Sequence, residues 1–126
     1  MDNDKIKKIL LVDDSPVSRR ILKSCITRAE QYEFYEADDG PMALEIFKTH
    51  RPELTFMDIN MPKMNGIDCL AEIRKINGQA VVVMCSAEIN PETTKQSLAK
   101  GALMVIKKPP TKEFIQEAMA KTSAAL

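Results

Sequence analysis

Residues 8–14 read KILLVDD, a mostly apolar run that leads directly into two adjacent carboxylates. A continuous apolar run of this length predicts a β-strand buried on both faces, as in a parallel sheet covered by helices. Ser15 and Pro16 follow. Because serine caps helix N-termini and proline fits the first helical position, a helix is expected to start here. The two acids therefore lie between a buried strand and a helix.

The rest of the chain repeats this alternation of strand and helix. Further strands are predicted over residues 33–37, 54–57, 80–85 and 103–106, and further helices over about 40–51, 67–76, 91–100 and 111–124. Strands that alternate with helices through short connections favour a parallel sheet with right-handed crossovers and helices on both faces. The sequence therefore predicts a doubly wound α/β fold with five parallel strands and five helices.

Apolar residues at helical spacing indicate which helix faces turn toward the sheet. In the first helix these residues are Val17, Ile21, Leu22, Cys25 and Ile26. In the last helix they are Phe114, Ile115, Ala118 and Met119. The four residues of the last helix are predicted to lie on its core side.

Composition narrows the class of protein. The length of 126 residues is typical of one domain, predicted to span 1–126 with a core over about 6–124 and no output domain. The 18 basic and 18 acidic residues cancel, which argues against broad binding to nucleic acid or an anionic membrane. No apolar run approaches the roughly 18 residues of a membrane span. Three isolated cysteines indicate buried thiols in a reducing compartment, so the cytoplasm is expected.

Polar side chains follow four of the predicted strands. Asp13 and Asp14 come after the first strand, Asp58 after the third, Ser86 after the fourth and Lys108 after the fifth. Ligands of open parallel sheets bind beyond the carboxyl ends of the strands. These five residues are therefore expected to form one cluster.

Such a cluster suits phosphoryl transfer onto an aspartate. Close carboxylates raise one another's pKa values unless a cation compensates, and Mg²⁺ prefers oxygen ligands together with waters and a phosphate. Aspartate can act as a nucleophile and form an acyl phosphate, while a nearby lysine and hydroxyl stabilise the transferred oxygens. We predict that Asp13, Asp14 and Asp58 bind Mg²⁺, with Mn²⁺ as an alternative, and that Asp58 takes the phosphoryl group.

Each residue of the cluster also has a structural interpretation. Asp13 and Asp14 could simply favour a helix N-terminus. Asp58 could form a turn, and Lys108, next to Lys107, could be a solvated surface lysine. The functional interpretation depends on all of them occurring together.

Four segments resemble, in order and spacing, the receiver domain of two-component response regulators: ILLVDDS, FMDINMPKMNG, VVVMCSAE and GALMVIKKP. The resemblance covers nearly the whole chain. It implies a flavodoxin-like, CheY-like three-layer sandwich with strand order 2-1-3-4-5. It also implies a signalling switch rather than a metabolic enzyme. Such a switch catalyses only its own phosphotransfer and autodephosphorylation.

The resemblance also implies roles for the residues around the metal. Asp58 matches the phosphoacceptor, and Asp14 matches the direct metal ligand of the acid pair. Asp13 matches the acid that acts on the metal largely through water. Asn60 falls where the family supplies a backbone carbonyl to the metal.

Further matches concern the switch. Ser86 matches the hydroxyl that follows the phosphate, Lys108 the lysine of the site, and Lys108–Pro109 the cis-proline corner of the family. Val105 stands where the family often carries an aromatic switch residue, and a β-branched aliphatic side chain cannot swing in the same way. The resemblance thus implies the phosphorylation chemistry. It leaves open how phosphorylation of Asp58 changes the surface that binds partners.

Two more positions and the partner surfaces follow from the resemblance. Asn60 and Glu88 match a pair found in chemotaxis CheY proteins, which lose phosphate quickly. The implied phosphoryl donor is a histidine kinase or a histidine phosphotransfer protein. The implied effector face combines the fourth helix, the fifth strand and the fifth helix, which carry or adjoin Lys95, Lys100, Lys107 and Lys112.

Three alternatives stay open at this stage. The chain could be a receiver excised from a larger regulator. A flavin carrier of the same topology needs a phosphate loop rich in glycine and hydroxyls after the first strand, where this chain has DDSP. An Mg²⁺-dependent aspartyl phosphatase typically carries DxDx[TV] after the first strand, whereas the candidate nucleophile here follows the third.

Overall fold

The computed structural model describes residues 5–126, so the first four residues of the predicted domain lie outside the described residues. Within this range the strands are Lys8–Val12 (β1), Glu33–Ala37 (β2), Leu54–Asp58 (β3), Val82–Ser86 (β4) and Met104–Lys107 (β5). The α-helices are Pro16–Ser24 (α1), Gly40–His50 (α2), Gly66–Ile76 (α3), Pro91–Ala99 (α4) and Lys112–Ala125 (α5), and a short 3-10 helix covers Ala29–Gln31. The predicted alternation of strand and helix is confirmed.

All neighbouring strands pair in parallel, in the order β2-β1-β3-β4-β5. The doubly wound fold and the strand order implied by the resemblance are therefore confirmed. From β1 the sheet grows first toward β2 and then in the other direction toward β3. Such a reversal opens a crevice at the carboxyl ends of the two central strands, where ligands of this fold bind.

Helices cover both faces of the sheet and make three layers. One face is covered by α1 and α5, whose core residues include Leu22, Ile115, Ala118 and Met119. The other is covered chiefly by α2 and α3, whose core residues include Ala43, Phe47, Leu70 and Ile73. Fully burying a side chain the size of leucine or phenylalanine contributes about 1.5–3 kcal/mol, so these two cores hold the sheet edge in place.

Each α-helix in the described range starts at a side chain that accepts a hydrogen bond from the backbone three residues later. The caps are Ser15, Asp39, Asn65, Asn90 and Thr111. Such caps satisfy backbone donors that have no partner within the helix and contribute about 1 kcal/mol each. They also define where the loops at the carboxyl edge of the sheet end.

Three strands reach further toward the polar residues than the sequence predicts. The ladder pairs Asp58 with Cys85 and Ser86 with Lys107, so backbone hydrogen bonding continues to the last residues of these strands. The predicted strands 54–57, 80–85 and 103–106 therefore end one residue too early. Asp58 and Ser86 are thus parts of the sheet and not of the loops that follow it.

The apolar side chains of Val17, Ile21 and Phe114 do not face the core, so the prediction made for Phe114 is wrong. Their exposed fractions are 55%, 42% and 49%. Successive helical residues are turned by about 100° from each other, so Leu22 and Ile115 can face the sheet while their neighbours Ile21 and Phe114 do not. The apolar arc of each helix is wider than the stripe that contacts the sheet.

The three cysteines are buried and free, as predicted. Burial raises the pKa of Cys69 and of Cys85 to about 12, which leaves both thiols protonated and unreactive at neutral pH. Among residues 5–126, none of the helices combines the length and the apolar character that a membrane span requires.

Candidate active site

The carboxyl edge of the sheet brings the predicted acids together. Asp13, Asp14 and Asp58 each offer a carboxylate oxygen within 4.8 Å of those of the other two. Asp13 and Asp58 are buried, whereas Asp14 is exposed. Hard oxygen donors of this kind, one of them open to solvent, fit a divalent cation such as Mg²⁺ or Mn²⁺. The three side chains could therefore hold such an ion.

Asp13 is held by three donors from this chain. The backbone N–H of Ser15 donates to Asp13 Oδ1 at 2.9 Å. The hydroxyl of Ser18 and the ammonium of Lys108 both donate to Asp13 Oδ2, each at 2.6 Å. Burial on its own would raise the pKa of Asp13, but the hydrogen bonds from Lys108, Ser18 and Ser15 outweigh it and lower that pKa. Asp13 is therefore ionised in the folded protein at neutral pH.

Lys108 lies between the two buried acids and is closer to Asp13. Its Nζ is 3.6 Å from Asp58 Oδ1, an ion-pair distance beyond that of a hydrogen bond. Burial alone would lower the pKa of Lys108, but its hydrogen bond to Asp13 and the charge of Asp58 raise it instead. Lys108 thus stays charged beside the acids, which supports the functional interpretation over that of a solvated lysine.

Asp58 has the opposite electrostatic balance to Asp13. Burial, followed by the negative charge of Asp13, raises the pKa of Asp58 from its ordinary 3.8 to about 6, although Lys108 offsets part of this rise. The charge of Asp14 adds to it. The ionised form of Asp58 is therefore costly in the metal-free protein, and a bound cation would relieve that cost.

Two residues of the site were missed by sequence reasoning. Ser18 reaches back from the third position of α1 to Asp13, and Arg19 donates to the Asp13 carbonyl and, at 2.6 Å, to Glu36 of β2. A hydroxyl and a cation within one helical turn of an acid pair were the available signals. They are weak because such residues are common at the start of a helix.

Ser86 is buried, and its hydrogen bonds join it to the loop that follows β4. Its hydroxyl donates to the carbonyl of Glu88 at 2.6 Å and accepts from the Glu88 N–H at 3.2 Å. The backbone N–H of Lys108 donates to the Ser86 carbonyl at 2.8 Å. Ser86 thus connects the end of β4 both to the chain leading into α4 and to Lys108.

The remaining predicted site residues lie on or just after β3, β4 and β5. Asn60 is exposed after β3, and Glu88 is exposed after β4. Val105 is partly buried in β5, pairs with Met84 and packs on the core beneath α2 and α3. The peptide bond between Lys108 and Pro109 is cis, as the resemblance implies. The metal role of Asn60 and the effect of Asn60 and Glu88 on phosphate loss stay predictions.

Comparison with known proteins agrees with this geometry. The sequence profile of the response regulator receiver domain matches residues 9–120. Chemotaxis protein CheY of Thermotoga maritima is 38% identical over 117 residues, which cover 93% of this chain and 98% of that protein. Chemotaxis protein CheY of Bacillus subtilis is 37% identical over 115 residues, which cover 91% of this chain and 96% of that protein.

A solved structure shows the same likeness in three dimensions. A chain from the crystal structure of the CheX–CheY–BeF3–Mg²⁺ complex of Borrelia burgdorferi matches with a TM-score of 0.83 and 32% sequence identity. The match covers 94% of this chain and 91% of that chain. The similarity therefore extends over nearly the whole fold.

Proposed function

Because this chain belongs to the response regulator receiver domain family, we propose that it is a signalling switch in which Asp58 accepts a phosphoryl group in a reaction that depends on a divalent cation. The observation that carries the proposal is the cluster of three carboxylates with the Lys108 ammonium between two of them. Phosphoryl transfer requires mainly positioning and charge stabilisation, and this arrangement supplies both.

The residues of this chain have distinct roles in the proposed reaction. Asp13, Asp14 and Asp58 would hold the cation, which neutralises charge between the acceptor and the incoming phosphoryl group. An oxygen of ionised Asp58 attacks phosphorus while the bond from phosphorus to the donor nitrogen breaks, and the electron pair stays with the donor. Lys108 would balance charge on the transferred oxygens. The domain modifies itself and turns over no external metabolite.

The phosphoryl donor in this proposal is a histidine kinase or a histidine phosphotransfer protein. Mg²⁺ is the proposed cation, and Mn²⁺ is its alternative. The CheY relatives favour a chemotaxis-type phosphorelay, and Asn60 and Glu88 lie exposed near the site, where they could influence the loss of phosphate. The matches cover 98% and 96% of those two relatives.

We place the effector on the surface of α4, β5 and α5. Around α4, Ile89 and Leu98 are large apolar side chains that are 43% and 49% exposed, and Lys95 lies between them in sequence. A phosphoryl group on Asp58 would draw the Ser86 hydroxyl away from Glu88 and so loosen the chain that leads into α4. This route does not use Val105. Charge reversal at Lys95 and Lys100 is expected to weaken effector binding without slowing phosphorylation, and unchanged affinity would contradict this placement.

Intact mass spectrometry tests the central proposal. Wild-type protein and the Asp58→Asn variant are incubated with acetyl phosphate and Mg²⁺, with EDTA in place of Mg²⁺ as a further sample. We expect the wild type to gain one phosphoryl group, and the Asp58→Asn and EDTA samples to gain none. Asp38→Asn, which removes an exposed acid outside the cluster, is the matched control and should be modified like the wild type.

Two outcomes of this experiment contradict the proposal. A wild type that gains no phosphoryl group would rule out phosphorylation of Asp58. An equal mass gain on Asp58→Asn would mean that another residue accepts the phosphoryl group. Steady hydrolysis of added phosphomonoesters would instead favour the aspartyl phosphatase, and a yellow, flavin-containing protein would favour the electron carrier.

A further inference from the structure

One carboxylate oxygen in the site has two donors that come from opposite ends of the chain. Asp13 Oδ2 accepts from Ser18 Oγ at 2.6 Å and from Lys108 Nζ at 2.6 Å. Ser18 sits on α1, where its own backbone N–H is capped by the Ser15 hydroxyl at 3.1 Å, so its side chain starts from a rigid position. Lys108 sits on the loop after β5 and also faces Asp58.

Ser18 and Lys108 have different roles in the proposed reaction. Lys108 is 1.0 Å closer to Asp13 than to Asp58 (3.6 less 2.6 Å), yet it has to balance charge that develops at Asp58. Moving toward Asp58 removes Lys108 from Asp13 Oδ2. Asp13 is buried, with 7% of its surface exposed, and a buried carboxylate oxygen without a donor is costly. Another donor on the same oxygen lowers this cost.

We infer that Ser18 is a positioning residue for phosphotransfer: its hydroxyl keeps Asp13 Oδ2 hydrogen-bonded while Lys108 moves from Asp13 toward the phosphoryl group on Asp58. This inference rests on the proposed function. Ser18 itself touches neither the phosphoryl group nor Asp58 in this role.

The test replaces the hydroxyl and follows two processes. Ser18→Ala removes the donor, Ser18→Cys keeps the size but provides only a weak donor, and Ser18→Thr keeps a hydroxyl. Ser24→Ala is the matched control, because Ser24 is an exposed serine on the same helix whose hydroxyl donates to the Ile21 carbonyl. Phosphorylation by acetyl phosphate is followed at saturating Mg²⁺. The affinity for beryllofluoride with Mg²⁺, a phosphoryl mimic, is measured by calorimetry.

We expect Ser18→Ala and Ser18→Cys to slow phosphorylation about tenfold and to weaken beryllofluoride binding by a similar factor, as for the loss of a hydrogen bond to a charged group. Mg²⁺ binding in the absence of beryllofluoride should change less than threefold, since Asp13 keeps its Ser15 donor. Ser18→Thr should restore most of both properties, and Ser24→Ala should behave like the wild type.

A double-mutant comparison isolates the proposed cause. The Lys108→Ala variant has no ammonium that could move toward Asp58. Adding Ser18→Ala to this variant should therefore slow its residual phosphorylation by less than about threefold. An equal tenfold loss in both backgrounds would overturn the inference. The inference would also be overturned if saturating Mg²⁺ restored the phosphorylation rate of Ser18→Ala to that of the wild type, because Ser18 would then act on the metal site alone. If the wild type takes up no phosphoryl group, the proposed function fails; if it does and Ser18→Ala matches it, this inference fails alone.

Discussion

Gly66 lies so close to Asp58 that a methyl group on residue 66 would come within 2.1 Å of the Asp58 carbonyl oxygen. The backbone N–H of Gly66 also donates to the carbonyl of Ile59 at 2.7 Å, so the start of α3 lies directly against the end of β3. The obstructing atoms belong to the backbone, and a rotamer change cannot remove the clash. The glycine therefore positions the main chain of Asp58.

We expect Gly66→Ala to lower the free energy of unfolding by about 3 kcal/mol or more, because either α3 or the end of β3 has to move. Phosphorylation by acetyl phosphate should fall with it. Gly78→Ala is the control: its added methyl group would meet no atom within 4 Å and should change stability by less than about 0.5 kcal/mol. Chemical denaturation measures both variants, and equal stabilities would contradict the close approach.

The raised pKa of Asp58 predicts that the ionised Asp58 side chain destabilises the metal-free protein. The folded-state pKa of about 6 exceeds the ordinary 3.8, so the folded protein binds the proton more tightly than the unfolded chain does. Stability attributable to Asp58 therefore falls as pH rises from about 4 to about 6, and the loss is complete above pH 6. At pH 7.5 without metal, Asp58→Asn should be roughly 1–3 kcal/mol more stable than the wild type.

The same comparison at other conditions provides the controls. Near pH 4 the two proteins should differ much less, because Asp58 is then largely protonated when folded. Millimolar Mg²⁺ should stabilise the wild type more than Asp58→Asn and so narrow the gap at pH 7.5. A wild type that is the more stable protein at pH 7.5 without metal would contradict the predicted cost.

Lys108 and Lys107 are neighbours in sequence with different surroundings. The Lys108 side chain is 20% exposed and faces two buried acids, whereas Lys107 is exposed. Lys108→Ala leaves Asp13 and Asp58 without their shared cation and should cost about 3 kcal/mol at neutral pH, whereas Lys107→Ala should cost less than about 0.5 kcal/mol. Denaturant titrations of the two variants measure the difference. Similar costs would mean that the ion pairs contribute little.

The phosphorylated form should be short-lived without any phosphatase. The family resemblance implies that Asn60 and Glu88 speed the loss of phosphate, and both residues are exposed just after the ends of β3 and β4. Phosphorylated protein, separated from acetyl phosphate and followed by intact mass, should lose its phosphoryl group within minutes. A half-life of hours would show that these two residues do not promote hydrolysis in this chain.

The main features of the fold could be predicted from local patterns. The runs in β1 and β4 are continuously apolar because both faces of those strands are covered, and the polar residues that end them are conspicuous by contrast. Parallel strands then place the ends of β1, β3, β4 and β5 at one edge. Residue type and chain position alone predicted that Asp13, Asp14, Asp58 and Lys108 lie close together, whereas the role of Ser86 in the site stays a prediction.

Three-dimensional packing was needed for everything that depends on which side of an element meets a neighbour. The helical spacing of Val17 and Ile21 resembles that of a core face, yet the sheet contacts the stripe that contains Leu22. Ser18 meets Lys108 on one oxygen of Asp13 although 90 residues separate them in the chain (108 less 18). Local propensities act over one or two helical turns, whereas burial, pKa values and shared hydrogen bonds arise when distant segments pack together. The chain alone therefore indicates which residues form the candidate site, and the folded arrangement sets the proton affinity of Asp58 and the partners of Lys108.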